Sequence, residues 1–151
     1  MCGFIGFIGR KALGSKDATK RVLTLMSKRL DHRGPDSNGY WLNLDGSVAI
    51  AHRRLSIVDL TNAGNQPMVS ESKRYIIAYN GEIYNHRELR DLINQETNIT
   101  FMWRGNSDTE TLLDAVELWG LERTLEKIEG MFAFALWDEK LCQLALARDP
   151  L

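Results

Sequence analysis

The chain of 151 residues has little cysteine, little histidine and no long apolar run, and each shortage closes off a class of function. Two cysteines, Cys2 and Cys142, cannot build a disulfide framework, and His32, His52 and His86 stand singly with no CxxC or HExxH spacing. No structural metal is expected. No stretch approaches the roughly 18 apolar residues of a membrane span, and the amino terminus lacks a charged region followed by an apolar one. Neither membrane insertion nor secretion is expected, so a cytoplasmic location follows and the Asn98-Ile99-Thr100 acceptor pattern is read as idle. Charge of one sign is also missing: 19 basic residues against 20 acidic leave a net charge of −1, with no basic cluster suited to nucleic acid or an anionic membrane. The glycines at 3, 6 and 9 do not form the GxGxxG of a dinucleotide fold.

What remains is an ordinary globular composition, 44% apolar and 26% charged, in a chain of single-domain length. Folding at this size buries about 68–70% of the unfolded surface. The first informative position is Cys2, directly behind Met1. Once the initiator is removed, Cys2 carries a free α-amine beside its own thiol. With reference pKa values of ~7.7–8.0 for the amine and ~8.5 for the thiol, the amine can accept the sulfur's proton, making a nucleophile with a built-in base. The plainer alternative is a small residue opening a strand.

The apolar run Cys2 to Gly9 reads as a strand buried on both faces. Asp17 is placed to cap a helix over about 18–30 whose core face is Val22, Leu25, Met26 and Leu30. The His32-Arg-Gly-Pro-Asp36 segment breaks that helix. Strands at about 39–44 and 47–54 flank the hairpin signal Asp45-Gly46, and the second ends in Arg53-Arg54, one of which can turn inward to grip a carboxylate. The loop over 60–72 is long enough to cover a pocket. The strand Tyr75 to Asn80 runs into Asn80-Gly81, which is either a tight hairpin turn or a pair of oxyanion donors. Asn85 with Glu88 reads as a capping pair for a helix over about 86–95, and Ser107-Asp-Thr-Glu110 as a capping box for one over 108–119 that stops at Gly120. Asp108 has a sufficient reason there in the helix dipole alone. A third short helix leads to Gly130. A final hairpin follows, its first strand apolar on both faces and its second placing Cys142 on a buried face with Leu144 and Leu146. Hairpins alternating with blocks of helix predict an α+β layered sandwich of antiparallel sheets.

Taken together, Cys2-Gly3, His32-Arg-Gly-Pro-Asp36, Ala51-His-Arg-Arg-Leu-Ser-Ile-Val-Asp59, Asn80-Gly-Glu-Ile-Tyr-Asn85, Ser107-Asp-Thr-Glu110 and Glu129-Gly-Met-Phe-Ala-Phe-Ala135 resemble the class II glutamine amidotransferase domain of glutamine-dependent asparagine synthetases. The likeness covers essentially the whole chain. Related branches with a GHTRW-type segment fit less well than this one. The resemblance implies a four-layer αββα fold of the N-terminal-nucleophile hydrolase type and hydrolysis of glutamine to glutamate and ammonia. It implies that Cys2 is the nucleophile, that Arg54 holds the α-carboxylate of glutamine, that Glu82 and Asp108 lie near its α-ammonium, and that Asn80 with Gly81 forms the oxyanion hole.

The departures shape the remaining expectations. No SGGxDS-type phosphate loop occurs, so ATP and Mg²⁺ are expected only in a synthetase domain that these residues do not include, and no cofactor is expected in this one. The chain halts within the Arg148-Asp-Pro-Leu151 motif and reads as truncated at its carboxyl end. Its expected partners are glutamine and a synthetase domain or subunit that accepts ammonia, with homo-oligomerisation left open. A catalytically silent module for binding glutamine or another protein is the alternative.

Overall fold

Side-chain alternation along a few strands decides how this chain layers. The computed structural model describes residues 2–55, 62–97 and 102–150. The close of the Ala51–Asp59 motif at 56–59, the start of the loop at 60–61, the acceptor pattern at 98–100, and Met1 and Leu151 lie outside the described residues. From the amino terminus come β1 (Gly3–Ile8), α1 (Lys16–Lys28), β2 (Ser37–Leu42) and β3 (Val48–Arg54), then a 3₁₀ turn at Asn62–Gly64 and β4 (Met68–Val69). They are followed by β5 (Tyr75–Ile83), α2 (His86–Thr97), α3 (Asp108–Trp119), α4 (Leu121–Lys127), β6 (Gly130–Asp138) and β7 (Gln143–Arg148).

All strand pairs are antiparallel, in one sheet ordered β1-β3-β2 and a second ordered β4-β5-β6-β7. On β3, Val48 and Ile50 face the second sheet and meet Ile76, Ala78 and Trp137, flanked by Phe4, Trp41 and Val69. Its alternate residues Ala49 and Ala51 face the other way and take Leu23 of α1. The odd-numbered residues of β5, Ile77, Tyr79 and Ile83, pack with Phe132, Phe134 and Leu136 of β6 under Leu89 of α2 and Leu112, Leu113 and Val116 of α3. A side chain of this kind contributes about 1.5–3 kcal/mol when fully buried. The result is the expected order of four layers, helix, sheet, sheet, helix.

Several local expectations change once the layers are in place. The first strand is covered on both faces only in part: Phe4 packs between the sheets and Ile5 and Phe7 beside Leu23, but β1 is an edge strand paired with β3 alone and Ile8 stays 53% exposed. Helix α1 begins two residues early, because the Ser15 hydroxyl, not Asp17, accepts the Ala18 N–H. Its buried line is Thr19, Leu23 and Ser27, while Val22 and Leu25 face outward. The helix lies over the alanines of β3 along a narrow seam, with Ile5, Phe7 and Leu42 beside Leu23 and the positions of Val22 and Leu25 beyond the contact. Cys142 lies exposed in the turn before β7 with φ 52°, and the face expected to bury it is open as well, Leu144 and Leu146 being 36% and 73% exposed. The Asn85 amide does not cap α2; it donates to Lys127 O at 2.8 Å and accepts from Glu129 N at 3.0 Å, tying the approach to β6. Only half of the capping box forms. The Ser107 hydroxyl accepts the Thr109 N–H, but Glu110 turns to the N–H groups of Arg104 and Gly105.

Asn80-Gly81 is not a turn either. Strand β5 runs through it unbroken, with Gly81 opposite Phe132. A Cβ at Gly81 would fall on the backbone of Met131 and Phe132, so the glycine permits close strand approach where a tight turn was the other reading.

Gly39 of β2 sets the segment leading into β4: a Cβ there would be driven into the Gln66 carbonyl oxygen. Backbone cannot yield as a side chain can. Gly39→Ala is expected to cost about 1–3 kcal/mol and lower Tm by about 2–12 °C in thermal unfolding. An unchanged Tm would mean that this segment is not seated on β2.

Candidate active site

The inner faces of the two sheets change character along their length. Reading every second residue, β3 goes from Val48 and Ile50 to His52 and Arg54, and β5 from Ile76 and Ala78 to Asn80 and Glu82. Strand β1 runs antiparallel to β3, so the same face leads from Ile8 back to Phe4 and then, one residue before the strand, to Cys2. All three polar ends coincide. There the sheets enclose a cavity of about 410 Å³ whose lining includes Cys2, Arg54, Asn80, Gly81, Glu82 and Asp108, every site residue expected from sequence.

Cys2 is half-buried, its Sγ accepting the Leu55 N–H at 3.3 Å and directed at the Leu55 carbonyl at 3.6 Å. Its own carbonyl accepts from Arg33 Nε at 3.3 Å, which gives the His32–Asp36 segment a contact beyond that of a turn. Gly34 in that segment lies so close to Arg53 and Arg54 that a Cβ would meet their shared peptide. Neighbouring arginines separate by alternation. Arg53 points toward α1, pairing with Asp31 at 2.8 Å and donating to Ser27 Oγ at 2.9 Å. Arg54 points inward, buried, and donates to Asn65 Oδ1 at 3.2 Å. Gly64 has no side chain because the Arg54 guanidinium occupies that space.

The backbone of β5 supplies the next groups. The Tyr84 N–H donates to Glu129 O at 2.7 Å, and in an antiparallel ladder bonded and non-bonded pairs alternate. Tyr79, Gly81 and Ile83 therefore turn their N–H groups away from β6. Tyr79 N–H donates to Gln66 Oε1 at 2.6 Å and Ile83 N–H to Asp108 Oδ2 at 2.9 Å. Between them the Gly81 N–H, on the cavity wall, has no hydrogen bond among the described residues. The same holds for the Asn80 amide and the Glu82 carboxylate, which line the same wall. Asp108, buried in the first turn of α3, also accepts from the Tyr79 hydroxyl at 2.7 Å.

Gln66, Tyr79, His52 and Gly64 are the contributors that sequence reasoning missed. Only the positions of Gly64 and Gln66 in a loop long enough to cover a pocket gave a signal. His52 is buried at 1% exposure and its Nε2 lies 2.9 Å from Tyr79 O, which selects the Nε2–H tautomer and joins the two sheets. Nδ1 finds no partner among the described residues. Burial, reinforced by the Arg54 charge and only partly opposed by the Tyr79 carbonyl, pushes its pKa down to about 4. Burial first, then the negative charge of Asp108, raises the Tyr79 phenol well above its ordinary value, so the hydroxyl stays a donor.

Comparison with known proteins bears on this geometry. A family model described as a glutamine amidotransferase domain matches residues 1–151. Asparagine synthetase [glutamine-hydrolyzing] 1 of Bacillus subtilis is 39% identical over 150 residues, covering 99% of this chain and 23% of that protein. Asparagine synthetase [glutamine-hydrolyzing] 1 of Arabidopsis thaliana is 35% identical over 152 residues, with 100% and 24% covered. Amidase chry2 of Gibberella zeae is 37% identical over 157 residues, with 99% and 22% covered. The chain thus spans less than a quarter of the length of these curated relatives. Among solved structures, glutamine phosphoribosylpyrophosphate amidotransferase from B. subtilis, complexed with ADP and GMP, superposes with a TM-score of 0.74 at 20% identity, covering 99% of this chain and 37% of that one. The two share the αββα fold.

The depressed His52 pKa has a consequence for stability. Between an ordinary value near 6.5 and about 4, the unfolded chain takes up a proton on His52 that the folded protein refuses, so stability falls as pH is lowered through that window. Denaturant unfolding of wild type and His52→Gln is expected to show the difference in unfolding free energy shrinking by about 3 kcal/mol from pH 7 to pH 4. A difference that stays constant with pH would show that His52 is not held neutral.

Proposed function

The chain belongs to the glutamine amidotransferase domain family, and on that premise we propose that it hydrolyses glutamine to glutamate and ammonia with Cys2 as nucleophile. The observation that carries this reading is the convergence of Cys2, Arg54, Asn80, Gly81, Glu82 and Asp108 on one cavity from two sheets and a helix. The buried Arg54 guanidinium takes the substrate's α-carboxylate, and Glu82 and Asp108 take its α-ammonium. These opposite charges orient glutamine along the cavity with its side-chain amide toward Cys2.

With Met1 removed, the α-amine of Cys2 accepts the thiol proton and the sulfur attacks the carboxamide carbon. The S–C bond forms as the carbonyl π-electrons move onto oxygen. That oxyanion is met by the Asn80 amide and the Gly81 N–H, donors with no other hydrogen bond among the described residues. Collapse breaks the C–N bond, and the protonated α-amine passes its proton to the departing nitrogen. Water, deprotonated by the same amine, then cleaves the γ-glutamyl thioester and restores the thiol. No cofactor takes part in these steps.

The ammonia is consumed elsewhere. We assign ATP and Mg²⁺ to a synthetase domain or subunit that activates a carboxylate acceptor, in keeping with relatives that are more than four times as long as this chain and carry asparagine synthetase names. A cytoplasmic setting suits that supply of ATP, and among the described residues no helix is long and apolar enough to cross a membrane.

Intact mass measured before and after treatment with 6-diazo-5-oxo-norleucine, a glutamine-like electrophile, tests the nucleophile. Loss of Met1 and a single stoichiometric adduct on Cys2 are expected, and a chain that keeps Met1 or takes no adduct would end the proposal. In a coupled assay of glutamate release, Cys2→Ala is expected to abolish turnover. Asn80→Ala should lower kcat about 10²–10³-fold, whereas a change confined to KM would remove Asn80 from the oxyanion role.

A further inference from the structure

We propose that Tyr79 is a positioning residue for this site, its hydroxyl aiming the Asp108 carboxylate at the substrate's α-ammonium while its backbone aligns the oxyanion donors that follow it. The proposal rests on the glutaminase reading above and adds a residue to the recognition of the α-ammonium. Tyr79 is 2% exposed, its ring among Leu112, Leu113 and Phe134 on the face of β5 turned away from Cys2. Its side chain lies on the strand face opposite those of Asn80 and Glu82, and the residue contributes to the cavity wall.

Three polar groups of this one residue are each committed to a different element. The hydroxyl donates to Asp108 Oδ2 at 2.7 Å, in the first turn of α3. The N–H donates to Gln66 Oε1 at 2.6 Å, and the Gln66 amide in turn donates to Thr109 Oγ1 at 3.3 Å, the residue after Asp108. The carbonyl accepts from His52 Nε2 at 2.9 Å, two residues before Arg54 on β3. The elements that carry Asp108, Arg54 and the Asn80-Gly81 pair are therefore bonded to one another through Tyr79.

The Asp108 contact has a directional consequence. Oδ2 receives both the Tyr79 hydroxyl and the Ile83 N–H, while Oδ1 has no hydrogen bond among the described residues and the residue lines the cavity. One oxygen is pinned and the other is left for a ligand cation. Because burial and the neighbouring carboxylate keep the phenol protonated, Tyr79 donates to Asp108 in its ionised form and opposes rotation of the carboxylate out of line.

Tyr79→Phe deletes the hydroxyl while retaining the ring and both backbone bonds. KM for glutamine is expected to rise about tenfold, the loss of one hydrogen bond to a charged group, with kcat within about twofold. The inhibition constant of 5-amino-5-oxopentanoate, the same acid amide without the α-ammonium, should stay within about twofold. In an Asp108→Asn background Tyr79→Phe should add less than about twofold to KM. Equal weakening of both ligands, a fall in kcat at constant KM, or a full additional loss in the Asp108→Asn background would each overturn the positioning role, as would kinetics unchanged beside a lowered Tm. Absence of glutamine turnover in the wild-type protein would instead remove the glutaminase reading, and this proposal with it.

Discussion

Packing of the inner faces of the two sheets over only part of their length is the constraint on which the rest of this structure depends. Val48 and Ile50 against Ile76, Ala78 and Trp137 form a seam dry enough to hold the sheets together. The same faces continue into His52, Arg54, Asn80 and Glu82, which could not be buried against one another without leaving charge and amide groups unpaired. The seam therefore ends where polarity begins. Beyond it the sheets leave a cavity, and Cys2 arrives at its wall because β1 runs antiparallel to β3 and returns the amino terminus to that end.

The polar half is organised by backbone as much as by side chain. One edge of β5 presents its N–H groups in order to Gln66, to the cavity and to Asp108. Of these, the Gly81 donor is available because strand alternation aims it there and β4 ends before reaching it. His52 shows the cost of joining the sheets at this level: a ring with one nitrogen satisfied by Tyr79 O and one without a partner, held neutral by its burial beside Arg54. Preorganisation of this kind is what a site acting on a developing oxyanion requires, since donors already fixed need not reorganise during the reaction.

The motifs that mark the family were legible as residues but ambiguous as structure. Asn80-Gly81 has the composition of a tight turn and is instead straight strand, because its glycine answers to the Met131–Phe132 backbone across the ladder and not to any local turn. Asp108 looked sufficient as a helix-terminal charge, yet its partners are a strand N–H and a phenol from 25 and 29 residues away. Val22 and Leu25 followed helical spacing and stayed outside, since periodicity names a face without saying how wide a sheet it will meet. Cys142 matched strand alternation, but the turn before β7 extends through it with a positive φ.

By itself the sequence determined the layered α+β class, the extent of α3, and the hairpins at Asp45-Gly46 and before β7, while the four-layer order and the six residues that converge came through the family resemblance of its motifs. The first three follow from periodicity, capping chemistry and turn composition, all of which act between near neighbours in the chain. Tertiary structure alone decided which of Arg53 and Arg54 enters the cavity, that Gly81 offers its N–H, and that Tyr79 joins Asp108, Gln66 and His52. Each is a contact between strands or layers, set by register and by which faces are pressed together. Neither quantity is encoded by spacing along the chain; both exist only once the apolar halves of the sheets have packed.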